Sequence, residues 1–140
     1  MKTGIEEITH NNIKFAEIIW ADVTVEHTRF FSPAQSSLQF GLLAHKAGFE
    51  EPAHYHKAVA KEVSDLQQMF VVQKGVIAVD FYTEEGQLIR EVTLKAGDAI
   101  LLVHGIHAIR VIEDMQCVSV KQGPFTGDAN DKVFVNIERA

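Results

Sequence analysis

The sequence predicts an all-β fold of the barrel or sandwich type, and three observations carry that reading. Apolar runs of strand length recur along most of the chain. Turn residues separate them at the spacing of short antiparallel strands. Helical periodicity is nearly absent: "VAKEVSDLQQMF" offers one or two turns before its apolar residues merge into the strand-like "MFVVQ".

In chain order the expected strands are 13–20, 37–46, 68–73, 76–83, 87–94, 99–104, 107–113, 116–122 and 132–138. "QKG" (73–75) reads as a tight connection in which Gly75 takes positive φ, "TEEGQ" (83–87) as a hairpin tip around Gly86, and "KAGD" (95–98) as a third turn. In "VIAVDFY", Ile77, Val79 and Phe81 face one way while Val76, Ala78 and Tyr82 face the other. A strand apolar on both faces is covered on both sides, here by a packed barrel interior and by a second sheet or a partner subunit. "FTGDANDK" (125–132) reads as a solvated connection.

A chain of 140 residues fits one domain, 1–140. Apolar residues make up 46% and charged residues 23%, which is the composition of a globular chain and not of a disordered one. The formal charge of −6, with no run of Lys and Arg longer than two, argues against an extended nucleic-acid surface. The N-terminal residues carry no apolar run of signal-peptide length, and no stretch approaches the roughly 20 residues of a membrane-spanning helix. The expected location is the cytoplasm. The lone Cys117 reads as a buried thiol that packs as a small hydrophobe.

The candidate chemistry begins at "GFEEPAHYHKAVAKE". On a strand, His54 and His56 would share one face with Cα atoms about 6.5–7 Å apart, near enough to converge on a metal about 2.0–2.1 Å from each ring nitrogen. An H-x-H pair alone does not separate that site from two rings on a polar face. The wider pattern does more. Gly48-x5-His54-x-His56, Gln68-x6-Gly75 and Gly97-x5-Val103-x-Gly105 recur in order, followed by His107.

These three motifs resemble those of the cupin superfamily, over about residues 38–122. The resemblance implies a small single-domain cupin, a double-stranded β-helix or jelly-roll barrel, with His54, His56, Gln68 and His107 as ligands of one divalent transition metal: Zn, Fe, Mn or Ni. This chain departs from the pattern in two places. Gln68 stands where the usual ligand is a glutamate, after eleven intervening residues, and Glu62 is its rival. Val103 replaces a proline, and only Ile106 separates Gly105 from His107, with His104 as the alternative third histidine. Glutamine offers a neutral carbonyl oxygen, a weaker ligand for a dication than a carboxylate.

A metal on such donors polarises a carbonyl or hydroxyl and lowers the pKa of bound water. Apolar walls from Phe40, Leu42, Phe70 and Phe81 would enclose one small polar molecule. Acid–base candidates are Glu62, Tyr82 and His104, with Lys57 and Arg110 also available, whereas strand parity turns Tyr55 away. His10 and His27 read as surface residues, and His45 as an exposed strand end or a residue of the barrel mouth.

Two functions follow as expectations. One is a metal-dependent isomerase or lyase acting on a small oxygenated metabolite, in the class of sugars or sugar acids, with an Fe-dependent dioxygenase as a variant. The other is a non-catalytic binding or sensing cupin. A homodimer is expected through the apolar run "IKFAEIIW" (13–20), too apolar for a solvent-facing edge strand.

Overall fold

The computed structural model describes residues 4–138 and contains eight strands and one short helix. The strands are β1 (Glu6–His10), β2 (Ile13–Ile19), β3 (Arg29–Phe30), β4 (Gly41–Leu42), β5 (Gln68–Tyr82), β6 (Leu88–Lys95), β7 (Ala99–Leu102) and β8 (Ile106–Lys121); α1 is Asp128–Asp131. The fold is all-β, as the sequence predicts, and its main sheet is strongly curled into a half-barrel.

β1 precedes the first expected strand and is joined to β2 by a two-residue turn. Asn11 and Asn12 both adopt positive φ (49° and 62°), the combination a type I′ hairpin requires and asparagine tolerates. β2 then pairs with β7, and β7 with the first half of β5.

The 15-residue β5 organises everything else. Along one side it pairs with β8 from Gln68↔Lys121 to Tyr82↔Ile106. On its other side, residues 68–71 pair with β7 and residues 76–82 with β6. Gly75 is therefore not a connection between two strands. The chain runs through it, and the β5–β8 register slips three times between Val72 and Ile77. Gly75 keeps the positive φ the sequence predicts (83°), but for a different reason: a Cβ there would lie 2.7 Å from the Asp114 carbonyl carbon and 2.7 Å from the Met115 Cα. Only glycine permits that approach, and the irregularity lets both long strands bend. The expected pair 107–113 and 116–122 is likewise one continuous strand, β8.

The other two turns are as expected. Gly86 N–H donates to Thr83 O (2.9 Å) across the β5–β6 hairpin. At the β6–β7 turn, Asp98 is buried, and its carboxylate accepts from Lys95 N (2.9 Å) and from Ala21 N (2.8 Å), 77 residues away.

Two apolar clusters lie on opposite faces of the sheet. The interior holds Ile8, Phe15, Ile18, Val72, Ile77, Val79, Phe81, Leu94, Ile100 and Leu102. The opposite face of β2 and β7, with Ile19 and Leu101, packs on Val23 and Phe40 and, around them, Phe31, Leu38 and Leu42. Over β2 and β7 the cover is thus the chain's own 23–42 segment. Glu17, only 1% exposed, ties that segment down: it accepts from Lys14 Nζ (3.2 Å) and from Ser32 Oγ (3.3 Å), while Ser32 Oγ accepts from Phe40 N (3.1 Å).

Three sequence expectations give way here. The 13–20 run is internal, between β1 and β7, so it presents no dimer face. Residues 37–46 contribute only the two-residue β4, and 132–138 form no strand. The helical turn falls in the polar 125–132 connection and not in 59–70.

Candidate functional site

The curl of the sheet brings distant parts of the chain to one cavity of about 320 Å³. Leu66 and Gln68 enter it from the start of β5, Leu102 from the end of β7, and His104, Gly105 and His107 from the turn into β8. Asp131, Lys132, Val133 and Phe134 line it from the C-terminal side. Gln68 pairs with Leu102 at the end of β7, and His107 stands just past the short 103–105 connection into β8, so that connection sets the two side by side.

Each polar group has a defined role available. Gln68 Nε2 donates to Ser119 Oγ (3.0 Å), which leaves its carbonyl Oε1 as an acceptor. His107 Nδ1 lies 3.3 Å from Gly105 O; a carbonyl only accepts, so the neutral ring carries its proton on Nδ1 and Nε2 is the acceptor. His107 keeps an exposed edge, yet the loss of water around its ring lowers its pKa below the ordinary 6.5; the Gly105 bond opposes this and the Lys132 charge adds to it. His104 packs edge-on against the Phe15 ring at 5.7 Å between centroids. Gly105, between the two histidines, adopts φ 86°.

The C-terminal side of the cavity is held by an ion pair. Lys121 Nζ donates to Asp131 Oδ2 at 2.8 Å, both groups being largely shielded, and Lys121 also lies 4.8 Å from the Phe125 ring. Ile137 reaches the β5–β6 hairpin, where its Cδ1 would meet a Cβ at Gly86 at 3.4 Å.

Of the four expected ligands, Gln68 and His107 share this cavity, together with the alternative His104. His54 and His56 do not line it. They sit on an exposed segment that forms no strand, so the i, i+2 strand argument does not apply to them. Their rings are neighbours all the same, T-shaped with centroids 5.3 Å apart. His54 Nδ1 lies 2.8 Å from Pro52 O, and its Nε2 lies 3.7 Å from Glu51. Among the described residues no three His, Cys, Asp or Glu side chains converge as a metal site.

The acid–base candidates also separate. Glu62 lines a polar cleft with Ser36, Ser37 and Asp65. Tyr82 is buried beside Asp80, which accepts from Arg110 Nε (2.8 Å) and Nη2 (3.0 Å); Arg110 also pairs with Glu91 (2.7 Å). That group is an ion-pair network on β5, β6 and β8. Of the expected walls, Phe70 and Phe81 belong to the interior cluster, whereas Phe40 and Leu42 lie on the other face of the sheet. His45 is exposed and stacks on Phe49 at 3.9 Å. Cys117 is half-buried against the interior cluster, which raises its pKa.

The residues that sequence reasoning missed are those of 131–134. Their alternation, "KVFV", carries the signal of a strand and none of a cavity wall. No protein-family model, curated protein or solved structure matches the chain.

Proposed function

We propose that this chain is a cupin-like barrel that binds one small oxygenated metabolite, in the class of sugars and sugar acids, at the mouth formed by Gln68, His104 and His107. The convergence of these three side chains, separate in sequence, on one concave and partly apolar cavity is the observation that carries the reading. Imidazole and amide groups suit hydroxyl recognition, because each carries atoms that pair with an O–H. Among the described residues no helix is long and apolar enough to cross a membrane. The cytoplasm is the compartment we assign to this activity.

The second reading is the metal-dependent isomerase or lyase. The adjacency of the His54 and His56 rings favours it. It requires residues 43–67 to bring that pair to Gln68 and His107, an arrangement the described geometry lacks, and we derive no metal-dependent step.

Two measurements separate the readings. Elemental analysis of protein purified without an affinity tag, beside His56→Ala and Gln68→Ala, tests the metal: near-stoichiometric transition metal lost in both variants supports the enzyme. Ligand-detected NMR with a panel of polyols and sugar acids, beside His107→Ala, tests the cavity. Binding that persists unchanged in His107→Ala refutes this site.

A further inference from the structure

We infer that Lys132 makes the cavity selective for a hydroxycarboxylic acid, gripping its carboxylate while Gln68 and His107 accept from its hydroxyls. This rests on the reading of the cavity as a small-molecule site and adds the class of ligand.

Two ionised groups, Asp131 and Lys132, line the cavity. Asp131 is committed to Lys121 at 2.8 Å in a shielded pair, so its negative charge is neutralised locally. The Lys132 partner is Asp128 at 3.3 Å, an exposed i, i+4 pair across one helical turn that solvent screens and an incoming anion can replace. The cavity therefore offers one exchangeable cation. Lys132 and His107 line the same cavity, which puts the cation and the imidazole within reach of one small molecule.

The remaining groups are acceptors. Gln68 Oε1 and His107 Nε2 are the atoms left after the bonds to Ser119 and Gly105 are made. Acceptors seek O–H donors, and the ammonium seeks an anion; a carboxylate bearing hydroxyls answers both. The chain's net charge of −6 disfavours an anion elsewhere on its surface, so selectivity for one has to come from a local cation.

The test compares glucuronate with glucose, two pyranoses that differ only in carrying a carboxylate or a hydroxymethyl group at C6, by titration against the full chain at low and at 0.5 M salt. Glucuronate is expected to bind at least tenfold more tightly than glucose, with an advantage that shrinks in salt. Lys132→Gln is expected to remove most of that tenfold preference and leave glucose within about twofold, while Lys132→Arg keeps it. Lys74→Gln, on the surface of β5, is the control and changes neither. Equal binding of the two sugars, or a preference that survives in Lys132→Gln, overturns the inference but leaves the small-molecule reading standing. If neither ligand perturbs the His104 and His107 ring resonances, both fail.

Discussion

Replacing Gly105 by alanine tests how the two cavity histidines are positioned. Gly105 has φ 86°, and forcing a residue with a Cβ into that region costs about 1–2 kcal/mol. The added methyl would also lie 2.7 Å from Phe15 Cδ2 and 3.0 Å from Cζ, and closer still to Cε2. Phe15 cannot swing aside freely, because it is buried and packs edge-on against Phe81 at 6.4 Å and His104 at 5.7 Å. Overpacking of this kind adds about 1–3 kcal/mol. Together the two effects give a loss of about 3 kcal/mol, or about 10 °C in Tm for a domain of this size. Denaturant unfolding followed by Trp20 fluorescence measures it. The second arm is the same change in a Phe15→Leu background, where the clash is relieved and the two substitutions are expected to couple by more than about 1 kcal/mol. A loss below about 1 kcal/mol for Gly105→Ala, or simple additivity with Phe15→Leu, refutes the argument.

Asp98→Ala leaves Lys95 N and Ala21 N without their carboxylate, and should cost about 2–4 kcal/mol by denaturant midpoint, with Asp98→Asn intermediate. His107 should titrate below 6.5 by NMR. With its folded pKa lowered, its contribution to stability is complete above the unfolded value and is lost as pH falls through 6.5 toward the folded value, an acid sensitivity that His107→Gln removes. A midpoint above 6.5 contradicts this. A homodimer should use β8: among the described residues this strand pairs only with β5, and it exposes Val111, Ile112, Val118 and Val120. Sedimentation of the wild type as a dimer and of Val111→Lys/Val118→Lys as a monomer is the expected pair of results, and a monomeric wild type at micromolar concentration ends the idea.

What the sequence made legible is what local chemistry decides. Alternation locates most of the strands, and Gly86 and Asp98 mark real turns because each donates a backbone hydrogen bond to the residue three before it. Gly75 carried an equally strong turn signal and was misread, since the constraint on it comes from the backbone of Asp114 and Met115 on another strand. The same limit applies at the site. Gln68 and His107 were found by motif spacing, whereas Lys132 enters the cavity only because Lys121 and Asp131 fold 122–131 back. His54 and His56 were placed by a strand geometry that depends on a pairing partner, and in this structure their segment has none.

The wide separation of the cavity's residues along the chain has a consequence for how the protein comes to be. The cavity draws on residues 66–68, 102–107 and 131–134, so no stretch shorter than the 69 residues from 66 to 134 contains it. Such non-local closure is slow, because loop entropy opposes it before any contact rewards it. A nascent chain would complete its binding mouth only after residue 134 has left the ribosome. Ligand capture by this cavity would therefore report on the finished fold, and would pull the folding equilibrium toward it by mass action.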